Sequence, residues 1–166
     1  MKRVGIFFNS VTGGTQDIAE ALQREFGGST DVRNINEVNS LDLRRYDLVI
    51  LGASTWNIGE MEDWNNFVTL MDPTEMHRVK FALYGLGDQR EFPERFVDLL
   101  GAIYDRLAAK GARMIGQTEI AGYNFKASAA VVGGHFVGLA IDQDNQPDLT
   151  PVRVKKWVAQ LRQKSA

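Results

Sequence analysis

The chain has 166 residues, 44% of them hydrophobic and 24% charged, with a formal net charge of -2. This is the profile of one soluble domain spanning 1–166, large enough to bury roughly 70% of its unfolded surface. With no cysteine and only His77 and His135, it has no means to build disulfides, thiolate metal sites, cysteine nucleophiles or a multi-histidine metal centre. It contains no apolar run of membrane-spanning length, Met1-Lys2-Arg3 leads into a strand pattern rather than a signal peptide, and the charge gives no support for nucleic-acid binding. The expectation is therefore a cytoplasmic protein engaging neither membrane nor nucleic acid.

In chain order, Val4–Phe8 has no polar alternation and reads as a strand buried on both faces. The stretch Ser10-Val11-Thr12-Gly13-Gly14-Thr15 follows, and then a helical pattern over 17–26, with Ile18, Leu22 and Phe26 on one face and Gly27-Gly28 ending it. Residues 30–34 form a weaker second strand and 46–52 an apolar third. A helix is predicted over 62–71, bounded by Asp72-Pro73. Strand four is predicted over 79–85 and a helix over 93–109. Strand five starts at 114–116 and continues at 136–141. A last helix covers 152–163, with Pro151 at an early position. Strands alternating with helices imply an α/β fold, a mostly parallel sheet covered on both faces.

A hydroxyl-bearing, glycine-bearing loop between a buried strand and a helix gathers backbone N–H groups and a helix N-terminus around one point, which suits an anion, phosphate best. The loop has no lysine, so it is not the GxxxxGK[ST] loop of a nucleotide triphosphatase, and it lacks the GxGxxG of a classical dinucleotide site. The same residues also suit an ordinary βα turn in which Thr12 or Thr15 caps the helix. Ligands of such sheets bind beyond the carboxyl ends of the strands. There strand three delivers Ala53-Ser54-Thr55-Trp56-Asn57-Ile58-Gly59-Glu60, strand four delivers 85–92, and strand five delivers 142–146. Trp56 and Phe92 are aromatics in loops, able to sandwich a flat ring or simply to pack over the sheet end.

These segments resemble those of flavodoxins of the long-chain type. Residues 10–15 match the [ST]-x-T-G-x-T phosphate loop, 54–60 the loop that places Trp against the flavin, and 84–89 the second flavin loop. Residues 122–125, 136–142 and 144–146 are similar to the extra fifth-strand segment and tail of the long-chain proteins. The resemblance implies a flavodoxin-like three-layer sandwich, a five-stranded parallel sheet of order 2-1-3-4-5 with helices on both faces, and FMN at the β1/β3 switch point. It assigns the phosphate to Ser10, Val11, Thr12, Gly13, Gly14 and Thr15. Ser54 and Thr55 would touch the ribityl chain or inner ring edge, and Trp56 would cover one ring face. Asn57, Ile58 and Gly59 would line the redox-active edge, Gly59 easing a peptide flip there. Gly87 and Asp88 would approach the pyrimidine end, Phe92 the other face, and Asp144 the ribityl side.

The resemblance further implies a low-potential one-electron carrier, not an enzyme, that cycles through a stabilised semiquinone. As a monomer it would dock transiently to a ferredoxin/flavodoxin–NADP reductase-type donor and to a redox acceptor protein. An FMN-dependent NAD(P)H:quinone oxidoreductase would need a substrate pocket over the ring, where Trp56 is expected. A phosphate-accepting receiver would need an aspartate where the chain has Ala53-Ser54. Departures from the family are Phe92 where Tyr is usual, Asn9 where Gly is common, and two cations, Arg90 and Arg95, beside the second flavin loop. Glu60, Glu62 and Asp63 form a candidate acidic docking patch.

Overall fold

A computed structural model describes residues 3–9, 13–54 and 58–165. Four consecutive strands, β1 (Val4–Phe8), β2 (Thr30–Asn34), β3 (Leu48–Ala53) and β4 (Lys80–Leu86), pair in parallel in the order β2-β1-β3-β4. Two short segments share the fifth position. β5 (Arg113–Met114) pairs with the start of β4, at Lys80 and Phe81, and β9 (Leu139–Ile141) pairs with its end, from Tyr84 to Leu86. The order 2-1-3-4-5 is thus the one expected, with the last strand built in two pieces.

Helices α1 (Gly14–Phe26) and α4 (Thr150–Lys164) cover one face, α2 (Ile58–Thr69) and α3 (Asp98–Ala109) the other. Side chains alternate between the two faces, as the pleat requires. Val4, Ile6, Phe8, Leu48 and Ile50 meet Ile18, Leu22, Trp157 and Leu161. Phe7, Val49, Leu51 and Leu83 meet Trp64, Phe67, Leu100 and Ile103. Both halves of the alternation are apolar because both faces are covered, which is why these strands read as unbroken hydrophobic runs. β2, at the sheet edge, carries the exposed charges Asp31 and Arg33, a common guard against edge pairing.

The insertion between β5 and β9 forms its own antiparallel sheet, with β6 (Thr118–Glu119), β7 (Val131–Val132) and β8 (His135–Phe136) in the order β6-β8-β7. Phe136, expected to continue the main strand, belongs to this small sheet instead. Its ring is fully buried against Phe96, Tyr123 and Phe125 at 6.0, 5.0 and 5.4 Å. The chain regains the main sheet at Gly138, where a Cβ would stand 2.0 Å from the Leu83 carbonyl oxygen, so only glycine permits that approach.

All four helix starts differ from expectation. α1 starts at Gly14, α2 at Ile58, α3 at Asp98 and α4 at Thr150, whereas the pattern predicted 17, 62, 93 and 152. Residues 93–97 are held as turns because Phe96 is drawn into the aromatic cluster and Val97 takes a left-handed conformation, φ 51°. None of the described helices is long and apolar enough to cross a membrane.

Candidate functional site

The carboxyl ends of β1, β3, β4 and β9 open on one edge of the sheet, and each delivers part of the site. At β1, Gly13 adopts φ 91° and turns the chain into α1. A Cβ on Gly14 would lie 2.8 Å from Leu86 Cδ2, so the first turn of α1 rests directly on the end of β4. Helix geometry aims the first-turn N–H groups of α1 outward at this edge. Thr15 is fully buried, and its hydroxyl donates to the Asn9 carbonyl at 2.6 Å. That bond ties the start of α1 back to the end of β1. Tyr84, fully buried beneath, donates its phenol to the Thr15 carbonyl at 2.7 Å. Ser10, Val11 and Thr12 lie outside the described residues.

At β3, the Ser54 hydroxyl donates to the Glu60 carboxylate. Thr55, Trp56, Asn57 and the side chain of Ile58 lie outside the described residues. Ile58 and Gly59 stand in the first turn of α2, not in a free turn. Carbonyls of a first helical turn accept ladder bonds. Glu60 cannot belong to a docking patch, being 3% exposed. Burial pushes its carboxyl above the ordinary value, the Ser54 hydroxyl opposes this, and the charge of Asp63 adds to it. A raised carboxylate pKa means that the folded state holds its proton longer than the unfolded chain. Stability contributed at this position accordingly falls as pH rises from about 4.5 through the folded value, then levels off. Glu60→Gln should remove that fall. Urea midpoints of the two proteins should diverge in the variant's favour as pH rises through this window, and parallel curves would refute the assignment.

At β4, the Gly87 N–H donates to the Ile141 carbonyl at 3.0 Å. The Asp88 carboxylate accepts the N–H groups of Arg90 and Glu91 at 3.0 and 2.9 Å and the Asn145 amide at 2.7 Å. Those bonds, the Glu91 one foremost, hold its pKa below the ordinary value. Asp88 thus shapes its loop with its side chain and with its carbonyl, which accepts the Phe92 N–H at 2.9 Å. Phe92 is half-buried, and the Arg95 guanidinium carbon sits 4.8 Å from its ring centre. Gly87, Asp88 and Phe92 come together on the wall of a cavity of about 330 Å³, completed by Leu86, Arg95, Phe96, Val97 and Asp98.

At β9, Asp142 is completely buried and accepts from the Gln89 backbone N–H and side-chain amide at 3.2 and 2.7 Å, and from the Asn145 N–H at 3.0 Å. Gln89 in turn accepts the Asn124 N–H. One carboxylate therefore ties the β4 loop, the β9 loop and the insertion together. Asp144 lies exposed in the same turn, away from the cavity wall.

The sequence pattern brought Gln89, Asp142 and Asn145 to this edge within their loops without giving them a role, and it did not point to Phe96, Val97 or Asp98. Arg95 was noted for its charge but not as a lining residue. Among the described residues Val97 is the one non-glycine with positive φ, and a β-branched residue gives no forewarning of that conformation. A second cavity of about 400 Å³ between β6, β8 and α4 is lined by residues such as Glu119, His135, Arg153 and Lys156, and it collects no main-sheet strand end except Leu139 at the start of β9.

With this geometry established, the comparisons with known proteins are specific. The profile of the family described as Flavodoxin matches residues 6–157. A flavodoxin of Synechococcus elongatus is 42% identical over 98% of this chain and 97% of its own length. Flavodoxin 1 of Escherichia coli is 43% identical over 97% of this chain and 93% of its own. The crystal structure of Fusobacterium nucleatum flavodoxin bound to flavin mononucleotide superposes with a TM-score of 0.83 at 27% identity, covering 99% of both chains.

Proposed function

The chain belongs to the flavodoxin family, and from that premise we propose that it holds FMN at the carboxyl edge of its sheet and passes electrons one at a time between proteins. The observation that carries this reading is the juxtaposition of two features. The first turn of α1, entered through a left-handed Gly13, rests on the end of β4, and the aromatic-walled cavity opens from that same β4 end. The first feature fits a phosphate and the second a flat ring.

Bound FMN would supply the electron-accepting ring, and the protein's part is to hold and tune it. Residues Ser10, Val11, Thr12, Gly13, Gly14 and Thr15 would hold the phosphate with neutral donors. Ser54, Thr55, Trp56, Asn57, Ile58 and Gly59 would flank the inner edge and one face. Gly87, Asp88 and Phe92, joined by 95–98, would take the pyrimidine end and the other face, and Asp144 would serve the ribityl side. The insertion that divides the fifth strand supports assignment to the long-chain type. The single domain is proposed to work in the cytoplasm as a monomer, docking in turn to a ferredoxin/flavodoxin–NADP reductase-type donor and to an acceptor protein. Stepwise anaerobic reduction of the FMN-loaded protein tests the carrier reading. A long-wavelength absorbance should rise to half reduction and vanish at full reduction. Direct bleaching would favour two-electron enzyme chemistry.

Arg95 distinguishes this chain from a purely acidic carrier. A cation about 8 Å from the ring contributes about 0.5–2 kcal/mol to its full reduction, on the order of 20–90 mV for one electron, and solvent exposure favours the lower end. Arg95→Glu should make the potential of the second electron more negative by tens of millivolts in a redox titration. No change, or a shift in the opposite direction, would remove the arginine from the tuning.

A further inference from the structure

The end of β1 carries a polar residue that the reading above leaves unused. Asn9 is 3% exposed. Its backbone is fully employed, the N–H donating to the Gly52 carbonyl at 3.1 Å and the carbonyl accepting from Thr15 Oγ1 at 2.6 Å. Its side chain reaches further. Nδ2 donates to the Asp63 carboxylate at 3.3 Å, and Oδ1 accepts from Asn36 Nδ2 at 3.5 Å. A strand-to-helix turn needs only the backbone bonds, and a carboxamide without partners would be costly to bury. The contacts therefore define a strut between two elements. Asp63 sits on α2, anchored in the core by the neighbouring Trp64, Phe67 and Val68, at 0, 2 and 5% exposure. The other end is the residue immediately before Ser10.

We propose that Asn9 is a specificity-determining positioning residue. Its carboxamide, held by Asp63 and Asn36, fixes the end of β1, whose Asn9 carbonyl accepts the Thr15 hydroxyl at the start of α1, and through that junction sets the preference for phosphorylated over unphosphorylated flavin. This rests on the FMN reading given above. The test titrates the cofactor-stripped full chain with FMN and with riboflavin, following quenching of flavin emission. In Asn9→Ala the Kd for FMN should rise on the order of tenfold, as for one lost hydrogen bond, while that for riboflavin stays within about twofold. Asp63→Ala should show the same loss of preference, and the double variant no more than either single one. Asp63→Asn keeps an acceptor oxygen for Nδ2 and should retain the original preference.

Equal losses for both flavins would mark Asn9 as merely structural and overturn the proposal, as would an unchanged preference in either alanine variant. If Asn9→Ala does not fold, the two Asp63 variants decide alone. An unmodified chain that binds neither flavin would overturn the FMN reading, and this inference with it. Normal FMN binding with an unmoved preference in the variants overturns the inference only.

Discussion

Asp142→Ala should lower stability by about 3 kcal/mol, the scale set by leaving several buried donors without their charged acceptor. It should at the same time weaken flavin binding. The carboxylate is fully buried and is the common partner of the Gln89 backbone N–H, the Gln89 amide and the Asn145 N–H. Removing it orphans these groups in a place water does not reach, and the cheapest relief is for residues 87–92 to swing outward. That movement carries Gly87, Asp88 and Phe92 off the cavity wall. For a chain of this size each kcal/mol moves the melting temperature by roughly 2–4 °C, so a fall of about 6–12 °C is expected. Asp142→Asn keeps the volume and one acceptor oxygen and should lose about half as much. A melting temperature within about 2 °C of the parent for Asp142→Ala would show that the loop is held by something else.

Gly52→Ala should cost about 3 kcal/mol or more, at the upper end for overpacking. A Cβ at this position would fall 2.0–2.4 Å from atoms of the Tyr84 ring. Tyr84 is fully buried and cannot step aside without giving up its hydrogen bond to the Thr15 carbonyl beneath the start of α1. The Gly52 carbonyl also receives the Asn9 N–H, so the disturbance reaches both the end of β1 and the start of α1. Tyr84→Phe, which removes only the phenol bond, should cost about 1 kcal/mol. Tyr84→Leu introduced alongside Gly52→Ala should recover part of the loss by opening space. Denaturant midpoints with and without FMN separate the two effects. A Gly52→Ala midpoint matching the parent would mean that the close packing of β3 on β4 is softer than the structure implies.

How far the sequence alone could be read differs from residue to residue. Val4–Phe8 and the apolar centre of β3 were legible because burial on both faces leaves a continuous hydrophobic signature. The divided fifth strand was legible in outline. Its first piece has only two paired residues, and Phe136 gave the same apolar signal whether it sat in the main sheet or in the small one. Helix starts shifted because no side-chain cap marks Gly13 or Val97. At the site, glycines and loop aromatics stand out in polar loops and advertise themselves. Asp142, Gln89 and Glu60 do the opposite, since a charged or amide residue in a polar loop looks solvated until the fold closes over it. Only the structure shows that Glu60 is enclosed rather than available to a partner.

The proposed FMN site at the carboxyl edge of this sheet is tested by a fluorescence titration of FMN into folded, cofactor-stripped protein. Saturation is expected at one FMN per chain, with strong quenching of flavin emission and a rise in melting temperature that grows with FMN concentration. Folded protein that leaves both the emission and the melting temperature unchanged would contradict it.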